Sequence, residues 1–154
     1  MRTVLISLAA ALVAASPALA NEARVEARGG VIWGGGDTEA TAGAAVGYDV
    51  DLGTTGFVGA EVSGDKILTS GTKVGFGFTG RAGAKVGNGG KLYANGGYTT
   101  EFCDNCEGSW RVGAGYQQNL GTRLYGKVEY SHYLPKASVA ADSDAVGVGL
   151  GLRF

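Results

Sequence analysis

Apolar positions alternate one by one with small or polar positions along most of this chain. The clearest run is Ala145-Val146-Gly147-Val148-Gly149-Leu150-Gly151-Leu152-Arg153-Phe154, where every even position is branched or aromatic. Every odd position is Gly or Ala, except Arg153. Successive side chains leave a strand on opposite faces, so strict alternation predicts a strand with one apolar face. A strand of this kind left open at an edge is a template for pairing with other chains. It suits a barrel whose last strand closes onto its first.

Seven further segments show the same parity. Ala23, Val25, Ala27, Gly29, Val31 and Trp33 oppose Arg24, Glu26, Arg28 and Gly30. Ala42, Ala44, Val46, Tyr48 and Val50 oppose Gly43, Ala45, Gly47 and Asp49, and Val58, Ala60 and Val62 oppose Gly59, Glu61 and Ser63. Val74, Phe76, Phe78, Gly80, Ala82, Ala84 and Val86 oppose Lys73, Gly75, Gly77, Thr79, Arg81, Gly83 and Lys85. Leu92, Ala94, Gly96, Tyr98 and Phe102 oppose Tyr93, Asn95, Gly97, Thr99 and Glu101. Trp110, Val112, Ala114 and Tyr116 oppose Arg111, Gly113, Gly115 and Gln117, and Leu124, Val128 and Tyr130 oppose Arg123, Tyr125, Lys127 and Glu129.

The connections fall into two kinds. Asp51–Thr54, Gly87–Gly90 and Asn119–Thr122 are compact turns rich in residues that tolerate positive φ. Gly34–Ala40, Gly64–Gly71, Cys103–Gly108 and Leu134–Ser143 read as longer loops. Short turns at one end and longer loops at the other predict an all-β, eight-stranded, antiparallel up-and-down transmembrane β-barrel. A soluble barrel would turn its branched residues inward and leave a solvent surface of Gly, Thr and scattered charge. As a lumen that second face makes sense, because eight strands leave an interior only wide enough for side chains.

Composition narrows the class. All 29 Gly lie after residue 20, which disfavours helices. At the start, Arg2 precedes an apolar run from Val4 to Ala15, then Ser16-Pro17 and Ala18-Leu19-Ala20. These features predict a secretory signal peptide at residues 1–20 and one barrel domain at 21–154; the run is too short for a spanning helix. Beyond the leader the chain carries 12 basic and 14 acidic residues, no footprint for nucleic acid.

Here the chain resembles the small eight-stranded outer-membrane barrels, such as OmpX, the transmembrane domain of OmpA and the opacity-type proteins. The resemblance rests on the eight segments, on the strand Leu124-Tyr-Gly-Lys-Val-Glu-Tyr130 and on the ending Gly149-x-x-Leu152-x-Phe154. It implies a monomer in the bacterial outer membrane, with lipid as its surroundings. It also implies that Gly149, Leu152 and Phe154 form the signal read by the barrel-assembly machinery during biogenesis. No OmpA-like periplasmic module is expected after the barrel.

Parity sends Arg24, Arg28, Lys73, Arg81, Lys85, Arg111, Arg123, Lys127 and Arg153 to the lumen, with Glu26, Asp49, Asp51, Glu61, Glu101 and Glu129. Two readings follow: a structural charge network, since buried charges must pair, or a narrow pore with a mild positive bias. Cys103 and Cys106 form a Cys-x-x-Cys at a predicted loop tip. Without a following helix or further ligands it points to a disulfide in an oxidising compartment rather than to redox or metal chemistry. Ser131 and His132 are adjacent and leave a strand on opposite faces, so they make no nucleophile–base pair. No catalytic residue, cofactor or metal site is assigned. Asp37, Glu39, Asp65, Asp104, Glu107, Asp142 and Asp144 against Lys66 and Lys136 predict an electronegative loop end, suited to divalent cations or a basic partner. Three functions stay open: a non-enzymatic barrel serving envelope structure or surface interaction, a small-solute pore, and a lipid-modifying enzyme.

Overall fold

A computed structural model describes residues 21–104, 106–135 and 142–154. The predicted leader and Lys136 lie outside the described residues. Eight strands form in chain order: β1 (Glu22–Gly34), β2 (Asp37–Leu52), β3 (Gly56–Ile67), β4 (Gly75–Val86), β5 (Gly90–Thr99), β6 (Ser109–Asn119), β7 (Leu124–Pro135) and β8 (Ser143–Arg153). Each pairs antiparallel with its neighbour in sequence, and β8 pairs with β1 to close the barrel. Phe154 extends this closure by exchanging backbone hydrogen bonds with Ala23, 2.8 and 3.2 Å long.

The closure is staggered. Register partners followed once around, from Glu22 through Asp49, Gly59, Arg81, Asn95, Gly113, Ser131 and Ala145, return to β1 at Ile32, ten residues further on. With a rise of about 3.3 Å per residue and strands about 4.8 Å apart, this stagger tilts the strands by roughly 40°. One consequence is a narrow interior in which side chains from opposite strands meet.

Parity decides the faces. Phe78, Val148 and Leu150 are 55, 61 and 55 % exposed, while Arg24, Asp49 and Arg111 are 3, 0 and 4 % exposed. The protein is apolar outside and charged inside, the reverse of a water-soluble domain. Among the described residues the buried apolar side chains are only Ala45, Phe57, Tyr93 and Tyr125. Aromatics on the outer face gather near the two strand ends: Trp33, Phe76, Tyr98, Trp110 and Tyr130 toward the loops, Tyr48, Tyr116 and Phe154 toward the turns. Tyr98 and Trp110 meet edge to face at 5.5 Å. Between them run smaller apolar residues such as Val46, Val62, Ala94, Val112 and Val128. This is the two-girdle outer wall of a bilayer-spanning barrel.

The loop end differs from the sequence expectation. Gly34 pairs with Asp37, so the loop expected at Gly34–Ala40 is a two-residue hairpin of Gly35 and Gly36. Both take positive φ, 63° and 99°, as a tight turn matched to strand twist requires. Asp37 and Glu39 therefore belong to β2. β3 runs on to Ile67, four residues past Ser63, and β5 stops at Thr99, short of Phe102. Phe102 turns inward across the loop end, its ring filling the space that a Cβ on Gly75 would need.

Placing Arg at Phe78 or Val148 is expected to destabilise the lipid-folded protein by roughly 2–4 kcal/mol. Urea titration in vesicles, read by heat-dependent gel mobility, measures this. Arg at Gly77, whose Cβ would lie 2.6 Å from Ser63 Oγ inside the barrel, should crowd the lumen without meeting lipid.

Candidate functional site: the charged lumen

Side chains of β1 reach those of β3 because β2 between them turns small residues inward. Gly43, Ala45 and Gly47 line the inner face of β2, and Arg24 lies across Gly47, where a Cβ would come within 2.5 Å of its guanidinium. Arg24 and Arg28 on β1 thus meet Glu61 and Asp65 on β3. Arg24 Nη1 donates to Glu61 at 2.6 Å, and Arg28 Nη1 donates to the same carboxylate at 2.9 Å. Arg28 also forms a two-point contact with Asp65, its Nε donating at 2.7 Å, while Ser63 Oγ donates to Asp65 at 2.9 Å. Arg24 Nε lies 3.6 Å from Asp49. Asp49, Arg24, Glu61, Arg28 and Asp65 form a line of alternating charge along the barrel.

A second line crosses it. Asp49 accepts a two-point contact from Arg81, whose Nε donates at 2.9 Å, and a third bond from Lys91 Nζ at 2.9 Å. The Arg81 guanidinium sits 4.8 Å from the Tyr93 ring centroid and 5.4 Å from that of Phe57, so aromatic faces as well as carboxylates hold it. Gln117 Oε1 accepts from Arg81 at 3.2 Å. Further toward the loops, Lys127 Nζ lies 2.6 Å from Glu26, 3.5 Å from Glu61 and 3.7 Å from Glu129. Tyr125 donates to Glu26 at 2.7 Å and Tyr93 to Glu129 at 2.9 Å. Their rings lie over Gly151 and Gly115, where any Cβ would collide with them. Arg111 Nη2 donates to Thr79 at 3.0 Å and lies 3.5 Å from Glu129.

The lumen expected from parity is altered at its ends. Arg24, Glu26, Arg28, Asp49, Glu61, Arg81, Arg111, Lys127 and Glu129 lie in this network. Lys85 pairs with Asp51 at the turn end, and Arg153 donates to Glu22 at 3.1 Å. Glu101 does not enter the lumen; it is exposed beyond the end of β5 and accepts from Lys73 at 2.9 Å, and Lys73 also donates to Asp104 at 3.1 Å. The two carboxylates hold the Lys73 ammonium above its ordinary range, Glu101 foremost. Arg123 is likewise outside, on the turn before β7. Lys91, Glu22 and Asp65, absent from the sequence-based set, face inward. The exchange leaves eight cations beside seven carboxylates, near neutrality in place of the expected positive bias.

The loop end of the lumen holds a cavity of about 70 Å³ above Arg28, Arg111 and Glu129, roofed by Ile32, Ile67, Phe102 and Tyr133. That volume takes a few waters. At the turn end the barrel opens into a mouth of about 880 Å³. Cys103 and Cys106 are joined in a disulfide beside Phe102. Ser131 is buried inside, whereas His132 lies on the outer face, its Nδ1 2.8 Å from Asp144, which also accepts from Tyr130 at 2.5 Å. Among the described residues no group of three or more His, Cys, Asp or Glu is placed to hold a metal.

The barrel is similar to solved structures of other β-barrels. The chain is similar to the N-terminal β-barrel domain of Pseudomonas aeruginosa OprF, at 16% identity over 86% of this chain and 97% of that one, with a TM-score of 0.59. The chain has the fold of the small eight-stranded outer-membrane barrels. It is also similar to Ail of Yersinia pestis, solved with the heparin analogue sucrose octasulfate, at 14% identity over 87% and 97% of the two chains (TM-score 0.56). A third likeness is to the outer membrane enzyme PagL, at 16% identity over 83% and 97% (TM-score 0.50). No family model and no curated protein matches the chain. A protein solved with a heparin analogue and an enzyme share this fold, so function has to be argued from the lumen and the rims.

Glu61→Gln leaves Arg24, Arg28 and Lys127 short of one carboxylate and is expected to lower folding stability by about 3–5 kcal/mol, read by urea unfolding in vesicles. Gly47→Val should produce a loss of similar kind by displacing Arg24 from its path to Glu61.

Proposed function

We propose that this protein is a non-enzymatic integral outer-membrane barrel with a closed lumen, serving envelope structure and surface interaction. The observation that carries this reading is the alternating line Asp49–Arg24–Glu61–Arg28–Asp65, crossed by Arg81 between Phe57 and Tyr93. These paired side chains lie between the turn-end mouth and the loop-end cavity, and removing one partner strands a buried charge. The lipid-facing girdles support a bilayer as the surroundings, and the fold supports the outer membrane as the location. In that setting the short turns face the periplasm and the loops face outward.

The acidic rim supports surface interaction. Asp37, Glu101, Asp104, Glu107 and Asp142 are exposed at the loop end, where the counterweights among the described residues are Lys66 and Lys73, the latter bonded to Glu101 and Asp104. Asp65, counted with this rim from the sequence, is spent on Arg28 inside. Ail was solved with a polyanion, and a rim of this sign would repel one; basic partners or cations gathered by the field suit it. The rival enzyme reading draws on the His132–Asp144 pair. That pair faces Tyr130 and Asp142, with no serine, threonine or cysteine bonded to His132 among the described residues.

Purified protein in planar bilayers tests the closed lumen. The expected record is flat at moderate voltage, with conductance appearing in Arg28→Ala/Arg81→Ala, where the plug is thinned. Steady conductance by the unaltered protein would favour the pore.

A further inference from the structure

The cations at the turn-end mouth outnumber its carboxylates. Lys85 on β4, Lys91 on β5, Arg153 on β8 and Arg123 on the turn before β7 line it, against Glu22 on β1 and Asp51 on β2. Glu22 is shared, accepting from Lys91 at 2.8 Å and Arg153 at 3.1 Å, and Lys91 also serves Asp49. Lys85 takes Asp51. Arg123 is exposed, and its side chain makes no ion pair or hydrogen bond among the described residues. The mouth thus holds two more cations than carboxylates, at the end opposite the acidic rim.

We infer that this mouth is a binding site for an acidic peptide segment, such as an Asp/Glu-rich stretch of a periplasmic partner. Its volume of about 880 Å³ lies in the range of ligand-binding clefts. The cations come from four places around the opening: Lys91 and Arg153 meet at Glu22, Lys85 lies on Asp51, and Arg123 stands apart, a spread that suits carboxylates spaced along a chain better than one compact anion. Two of them are guanidinium groups, whose planar forks match carboxylates. Asn21 Oδ1 and Asn119 Oδ1 lie in the same wall as acceptors with no partner among the described residues, and Arg153 Nε is a donor with none. Successive backbone amides offer N–H and C=O groups at intervals along a chain to such scattered partners, whereas a compact oxyanion such as sulfate offers no donor and phosphate only its P–OH groups at one point. The periplasmic placement rests on the reading of the barrel's orientation above; the binding itself does not.

The test uses full-length protein in a zwitterionic detergent and a fluorescein-labelled hexaglutamate peptide, followed by anisotropy, with hexaglutamine as control. Hexaglutamate is expected to bind, with affinity falling steeply from low to physiological salt as screening sets in. Lys85→Gln/Arg123→Gln, two rim changes outside the buried network, should weaken it about fivefold or more while heat-dependent gel mobility stays intact. Lys66→Gln at the opposite end should leave it unchanged. Equal binding of hexaglutamine, or an unchanged affinity in the double variant, would overturn the proposal. Tight binding of inorganic phosphate without binding of hexaglutamate would overturn it in favour of a phosphate site.

Discussion

Closure of β8 onto β1 is the constraint on which the rest depends. The pairing of Arg24 with Arg153 through Trp33 with Asp144 removes both sheet edges at once, and in a bilayer an unpaired edge would strand a row of polar groups. Closing only eight strands fixes a narrow bore. The ten-residue stagger then sets which inward residues share a level. Little is left for the lumen except side-chain packing.

Why that packing is ionic follows from the outer face. If both faces were apolar, a strand could slip by one residue and expose the other face to lipid at little cost. With Arg24, Glu26 and Arg28 on one face of β1, such a slip would put three charges into hydrocarbon. The charges therefore serve register as much as stability, consistent with buried ion pairs being weak stabilisers in themselves. The inward glycines are the other half of the arrangement. Gly47 gives Arg24 its path to Glu61, and Gly115 and Gly151 leave room for the rings of Tyr93 and Tyr125. A lumen with larger residues at those positions could not carry the same pairs.

The wall was legible in the sequence because parity is a local property, and each strand middle reports its own faces. The ends were not, for three physical reasons. Parity carried past the end of a strand has no meaning: Lys73, Glu101 and Arg123 keep the right spacing but lie beyond β4, β5 and β7. The converse error hid Glu22, Asp65 and Lys91, which sit at strand margins where polar residues look like turn or loop. Third, Asp-Thr-Glu-Ala-Thr after Gly35-Gly36 reads as a polar loop, yet two glycines with positive φ are all the hairpin needs. The same extrapolation puts Phe102 outward; with no wall to follow, its ring turns over the loop end of the lumen. Which partner each charge takes was beyond the sequence, because it depends on the stagger.

The central claim, an apolar wall in lipid around a lumen of paired charge, can be tested with residues the chain already has. Its two Trp, Trp33 and Trp110, both stand on the outer face in the loop-end girdle. In vesicles of brominated phospholipids their fluorescence is expected to be quenched strongly by bromines near the headgroups and less by bromines near the chain ends, with little effect of aqueous acrylamide. Fluorescence untouched by brominated lipid and freely quenched by acrylamide would contradict the account.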